Sequence, residues 1–369
     1  MASGGNQIAD AAAYEVSSSS SERDLLLRRL ADLAVLPPGR MTPQERSLID
    51  TVMASAVARL DATTRRRLAE RIAQLPEGPP ELTLALARDT IDVAAPVLRG
   101  GSGLQSSDLV QIVRDGSAEH QLAISERKLL PGAIVDALID YAKPDALCRV
   151  LANPAAELSS RAMEILVRRS ATETAFQPLL MARAELTTRL AQSMFWWAGP
   201  ETRKDILTRH STERRMMYAA LDGVLEPGLA AADTDDALRV TLSRLRPPVA
   251  MSKALLTRLV AIAACHMREE FTAELALAGR IRQETAFQIV SDLGGEALAV
   301  FAKANGLTRL EFKELFAAVS QLRTNEQPGD ERLERITTVF DTISIDRADQ
   351  VLHSWDWSIS AEAAVFSDG

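Results

Sequence analysis

Aromatic residues make up only 4% of this 369-residue chain. The hydrophobic content nevertheless reaches 47%, because alanine and leucine, both strong helix formers, carry it. An uncharged apolar run of about 18 residues, the shortest that crosses a bilayer as a helix, does not occur, so no membrane span is expected. The N-terminus has no basic segment followed by an apolar run, and no secretory signal is expected. There are two cysteines, Cys148 and Cys265. Neither has zinc spacing, and both sit inside apolar helical patterns, so they read as buried single thiols in a reduced compartment. Positive charge is also short. A net charge of −8 argues against a nucleic-acid partner, which needs a concentrated basic face. No segment alternates polar and apolar residues in the manner of a strand. These shortages leave a soluble, cytoplasmic, all-α protein without a membrane or nucleic-acid role.

What the chain does have is an imperfect four-fold self-similarity between about Ala94 and Gly199. One series reads Ala-Ala-Pro-Val-Leu (94–98), Gln-Leu-Ala-Ile-Ser (121–125), Leu-Cys-Arg-Val-Leu (147–151) and Phe-Gln-Pro-Leu-Leu (176–180), at offsets of 27, 26 and 29. A second begins at Ser106, Pro131, Ser159 and Thr187, at offsets of 25, 28 and 28. A fixed period of this size marks stacked helix pairs. It predicts a short α-solenoid of about four helix-pair repeats. Most second helices open on a short polar residue able to cap them: Ser106 or Ser107, Ser159 or Ser160, and Thr187. The second unit uses Pro131-Gly132 instead.

The rest divides around this array. Residues 1–20, ending in a serine run, offer little to bury and are expected to be a disordered tail. Residues 21–90 read as a helical cap for the array. Within it, Pro37-Pro38-Gly39 stops one helix, and Thr42-Pro43-Gln44-Glu45 starts another with a capping box and a proline at the first helical position. Asp61 caps a third helix. The array occupies 91–199. Residues 200–360 form a C-terminal all-helical domain without the period, and 361–369 form a tail. In that domain a polar linker around Ala231–Asp236 precedes a segment ending at Arg246-Pro247-Pro248. Ser252 then opens an apolar helix, Thr308 to Glu311 repeat the capping box, and a last helix runs from about Asp346 to Trp357.

Four phrases carry a resemblance. They are Leu86–Leu98, Gly116–Ile124, Met194–Trp197 and Asp292–Val300, the last reading Asp-Leu-Gly-Gly-Glu-Ala-Leu-Ala-Val. Together they resemble the bacterial, largely alphaproteobacterial domain of unknown function family 2336, over about residues 40–345. The central units are also similar to HEAT-like and leucine-rich-variant helical repeats. The resemblance implies an all-helical fold and a bacterial cytosolic setting. It implies no activity.

Chemistry-bearing patterns are sparse. His120, His210, His266 and His353 are scattered. His266 shares a helical face with Glu269 and Glu270, but a metal site in a helical bundle needs ligands converging from several helices. Cys265 and His266 are adjacent and so point about 100° apart. Gly100-Gly101-Ser102-Gly103 lacks the Lys-Ser/Thr and the strand of a phosphate loop. Residues 285–305 have the outline of a helix-turn-helix, yet the second helix carries one cation, Lys303, and one anion, Glu296, too little positive charge for a DNA reader. The clusters Arg65-Arg66-Arg67, Arg168-Arg169 and Arg214-Arg215 read as solvated helix faces. No catalytic residue, cofactor or metal is expected.

Phe195-Trp196-Trp197 stands out. Three consecutive aromatics on a helix sweep about 200°, so they cannot all face one core. Two of the three are expected to pack where the array meets the C-terminal domain while the third covers the rim. The sharper alternative makes one tryptophan an exposed partner-binding anchor, and Trp355 and Trp357 raise the same question. The expectation is a non-catalytic scaffold or regulatory protein binding a protein or peptide partner through its repeat surface. The alternative is a small-molecule sensor with a pocket in the C-terminal helices or at the domain junction. Homo-oligomerisation is compatible with either.

Overall fold

A computed structural model describes residues 25–26, 28–35, 41–211, 219–231, 249–324 and 328–366, with side chains to 356. The expected tail 1–20, the stop at Pro37–Gly39, Arg214-Arg215, residues 232–236 of the polar linker, Arg246–Pro248 and the side chain of Trp357 lie outside the described residues. The protein is all-α: the described residues hold helices and no strand, with one isolated bridge between Leu130 and Ala156. It divides into two compact units, 1–166 and 167–369.

In the first unit, helix α1 (Pro43–Ala56) opens on the expected capping box. The Thr42 N–H donates to Glu45 Oε2 at 2.7 Å, and the Glu45 N–H donates to Thr42 Oγ1 at 3.3 Å. Asp61 caps α2 (Ala62–Ile72) through the Thr64 N–H at 2.9 Å. Helix α3 (Pro80–Ala87) has no cap of its own and borrows one. The buried carboxylate of Asp50, on α1, accepts the N–H groups of Glu81 and Leu82 at 3.1 and 2.7 Å. Burial raises the Asp50 pKa despite these bonds.

The repeated segments then appear as helix pairs: α4 (Ile91–Gly100) with α5 (Ser106–Asp115), α6 (Ala118–Ser125) with α7 (Gly132–Tyr141), and α8 (Pro144–Ala152) with α9 (Ser160–Arg169). Helix α4 packs on α6 and α6 on α8, while α5 packs on α7. Their buried stripes, such as Val93, Ala94, Val97 and Leu98 on α4 and Ile134, Val135 and Leu138 on α7, are the apolar positions of the two series. The period also returns in the polar contacts. Arg99 bonds Glu126 at 2.6 Å, the Asn153 side chain donates to the Arg127 carbonyl at 2.8 Å, and the Gly132 N–H donates to Glu157 at 3.0 Å. Arg127, half-desolvated and lowered in pKa by burial, donates to the Leu98 and Gly101 carbonyls.

Two expectations are corrected. Helix α5 is capped one residue before the serines, at Gln105, whose N–H donates to Asp108 Oδ2 at 3.0 Å. Cys265 is exposed and Cys148 partly so. Cys265 falls at the C-cap of α14 (Lys253–Ala264), off the buried stripe of Leu256, Leu259 and Ala263.

The second unit continues with the short helices α10 (Phe176–Met181) and α11 (Thr188–Met194), then α12 (Pro200–Arg209), α13 (Leu225–Ala231) and α14. Next come α15 (Arg268–Gly279), α16 (Gln283–Ser291), α17 (Glu296–Ala304), α18 (Arg309–Thr324), α19 (Asp330–Thr342) and α20 (Ile345–Phe366). Helix α17 is buried on almost every side, at residues 296–302 and 304, and is packed by α16, α18, α19 and α20. A helix apolar all round belongs in a core. It starts at Gly295, whose φ of +93° suits glycine, and a Cβ there would lie 2.5 Å from the Phe316 ring.

The capping boxes carry a pH signature. Hydrogen bonds from Thr42 and Thr308 hold the Glu45 and Glu311 carboxyls below their ordinary value of 4.5. A depressed folded pKa contributes stability that is complete above 4.5 and lost as pH falls through the folded value. Urea midpoints taken between pH 6 and 3 should therefore fall less steeply for Glu311→Gln than for the parent protein, and equal slopes would refute the assignment.

Candidate functional site

The aromatic triplet Phe195-Trp196-Trp197 follows α11 as a turn. Phe195 has no exposed surface, and Trp196 and Trp197 are half-buried. Phe195 lies 4.6 Å, centroid to centroid, from the ring of the buried Trp355 of α20, and Trp196 lies 4.8 Å from it. The Trp197 indole N–H donates to Ser170 Oγ at 2.8 Å. The triplet does point in several directions, but another part of the second unit receives Phe195. In this conformation Phe195 and Trp355 cannot touch a partner.

Trp197 has a further role that only the structure reveals. The buried Gln177 side chain donates to the Ser170 and Trp197 carbonyls at 3.1 and 3.4 Å. In the first unit the buried Gln121 donates to the Val113 and Tyr141 carbonyls at 2.9 and 3.2 Å. Each glutamine sits on the first helix of its repeat and ties together the ends of two successive second helices. Trp197 is thus the counterpart of the exposed Tyr141. Gln177→Leu strands the buried Ser170 carbonyl, the part-buried Trp197 carbonyl and the Gly199 N–H, and should cost about 1–3 kcal/mol, read by tryptophan fluorescence in urea. A change within error would show that water replaces the bridge.

Beside the triplet stands Arg203, on α12, with its guanidinium 4.8 Å above the Phe195 ring. It donates to the Ala198 carbonyl at 3.0 Å, to Asp292 Oδ1 at 2.7 Å and to Glu296 Oε2 at 2.9 Å. Both carboxylates are almost wholly buried. Asp292 also accepts the N–H groups of Gly294, Gly295 and Ala297, which makes it the true cap of α17. Its charge is met by the helix N-terminus, and that of Glu296 by Arg203. Arg203 engages both acids, and the α17 N–H groups engage Asp292 as well, so the two acids hold the fold together here.

Three more arginines gather on the same turn. Arg268 donates to Ser291 Oγ at 2.9 Å, Arg323 to the Asp292 carbonyl, and Arg332 to the Leu293 carbonyl. Burial pushes the Arg323 guanidinium down to about 10, and Arg332 and Arg268 add to this against the pull of Asp292. The helix-turn-helix outline of residues 285–305 corresponds to α16 and α17, and α17, which would have to read a groove, is buried.

Each unit has a cleft among its described residues. In the second unit, one of about 210 Å³ has Leu207 and Ile343 at its base and Lys204, Arg335 and Arg347 among its polar groups, with Glu296 in its wall. In the first unit, one of about 470 Å³ is edged by Arg88, Asp115 and His120. The His120 ring is held at both nitrogens, by the Asp89 carbonyl at 2.9 Å and Ser117 Oγ at 2.8 Å. His266 lies at positive φ between α14 and α15. Among the described residues no group of three or more His, Cys, Asp or Glu could hold a metal ion, and no helix is long and apolar enough to cross a membrane.

Sequence reasoning reached the triplet but not Arg203, Arg268, Arg323 or Arg332. The one available signal was the phrase Asp292-Leu-Gly-Gly-Glu, which marks the turn they surround.

Fold and site together define an all-helical protein whose charged centre serves its architecture. Residues 93–353 match the family described as an uncharacterised protein conserved in bacteria (DUF2336), and the chain belongs to that family. No curated protein and no solved structure matches it significantly.

Proposed function

We propose that this protein is a non-catalytic scaffold or regulatory protein of the bacterial cytoplasm. It binds a protein or peptide partner across a solenoid-like surface of repeated helix pairs. The observation that carries this reading is the regular stacking of helix pairs with cross-ties at one period, since such arrays expose extended surfaces suited to peptides and helices. Cys265 is an exposed free thiol, which suits a reducing compartment. The test is co-purification of the tagged full-length chain from its native bacterium. A stoichiometric partner is expected, and recovery of the free protein alone would count against the reading.

The 210 Å³ cleft favours a second reading, a sensor of a small molecule. Among the described residues Lys204 and Arg335 make no ion pair, and Leu207 and Ile343 supply an apolar base. The fitting ligand has an apolar body and one anionic group. Ligand at 100 times its Kd would raise stability by about 2.7 kcal/mol. A panel of carboxylates and phosphates that leaves the melting temperature unmoved would dismiss this reading.

A further inference from the structure

The turn between α16 and α17 has more positive charge than the fold uses. Arg268, Arg323 and Arg332 place their guanidinium groups on three consecutive residues, Ser291, Asp292 and Leu293. None of the three is paired with a carboxylate among the described residues, although Glu269 and Glu270 adjoin Arg268 and Asp330 and Glu331 adjoin Arg332. Asp292, the acid on this turn, is committed to Arg203 and to the N–H groups that start α17. Arg323 Nη2 is buried without a hydrogen-bond partner. Like charges crowded together, one of them partly desolvated, are unfavourable unless something offsets them. In a chain of net charge −8 this concentration stands out.

Apolar side chains stand beside these arginines where water reaches them. Leu293 is 70% exposed, Phe287 54% and Met267 40%. The Arg268 guanidinium lies 5.4 Å from the centre of the Phe287 ring, so aromatic and cation form one surface. Arginine, aromatic residues and methionine are the types enriched at protein–protein interfaces.

We infer that the α16–α17 turn is the docking point for an acidic segment of the partner protein, one that carries carboxylates alternating with apolar side chains. The carboxylates meet Arg268 and Arg332, and the apolar side chains cover Leu293 and Phe287. Charge complementarity selects this occupant. A nucleic acid would leave the exposed Leu293 and Phe287 unused, and the helix that would have to enter its groove is buried. The inference rests on the partner-binding reading and adds to the repeat surface a separate contact, outside both the repeated helix pairs and the aromatic triplet.

The test uses the full-length protein and a short fluorescein-labelled peptide bearing glutamates and leucines on one helical face. Fluorescence anisotropy should detect binding that weakens as salt is raised. Arg268→Glu combined with Leu293→Ser should reduce affinity at least tenfold, since both replaced side chains are exposed. The melting temperature should stay at the parent value, and if it drops, Leu293→Asp alone replaces the pair. A counterpart peptide with lysine for glutamate should not bind. Equal binding by parent and variant would overturn the inference. So would tighter binding of a single-stranded oligonucleotide, or of vesicles containing phosphatidylserine.

Co-purification separates this site from the broader reading. A partner retained equally by the variant overturns the docking point and leaves a partner-binding protein. A partner lost with the variant supports both. Peptide binding that the variant loses, with no partner recovered from the native bacterium, supports the site and counts against the scaffold.

Discussion

Arg203→Met lowers the stability of the second unit by about 3–5 kcal/mol, the range found when one member of a buried ion pair is removed. The reason is the company it keeps. Asp292 and Glu296 are about 3% and 4% exposed, and Arg203 is the cation that contacts both. Without it two carboxylates stay in a nearly dry site, and only Asp292 still has the α17 N–H groups to meet its charge. Glu296→Gln added to Arg203→Met removes one of the stranded charges and should restore part of the loss. All four tryptophans lie between 196 and 357, so tryptophan fluorescence in urea reads this unit without signal from the other. A single-variant loss below about 1 kcal/mol, the value of an exposed pair, would show that the site is wet.

Trp355→Ala should be comparably severe, at about 3–5 kcal/mol, the usual cost of emptying a large aromatic site in a core. Trp355 has no exposed surface and packs against both Phe195 and Trp196. Few neighbours can move to fill its volume, because Phe195 is already held under the Arg203 guanidinium. Trp355→Phe should recover most of the loss. If alanine and phenylalanine behaved alike, the aromatic stack would be incidental to stability.

The helix pairs were legible in the sequence because their signals are local. Leu147 and Val150 share a stripe by spacing alone, and Thr42 and Glu45 meet across one turn. Asp61, Thr187 and Thr308 cap their helices as their positions imply. Local signals also misled. Ser106 and Ser107 are good caps, but Asp108 engages Gln105 first. Cys265 sits in an apolar stretch yet falls one step off the buried stripe. Periodicity identifies which residues share a stripe; it does not identify what covers that stripe. Nothing local set Phe195 apart from Trp196 and Trp197, because Trp355, its cover, lies far along the chain. Arg203 gave no sign at all, since its carboxylates lie 89 and 93 residues away.

Those separations set an order of events when the chain is made. In the first unit the cross-ties join residues about one repeat apart, such as 27 for Arg99 with Glu126 and 26 for Asn153 with Arg127. Closing short loops is fast, so this unit can acquire its structure while the remainder is still being synthesised. The second unit has no such freedom. Arg282 reaches Asp356 across 74 residues and Gln192 reaches Gln350 across 158. Until α20 emerges, Phe195 and Trp196 have no cover, and the unit is exposed to chaperones and proteases for almost the whole of its synthesis. A chain truncated before residue 345 would keep a foldable N-terminal unit joined to one that cannot close.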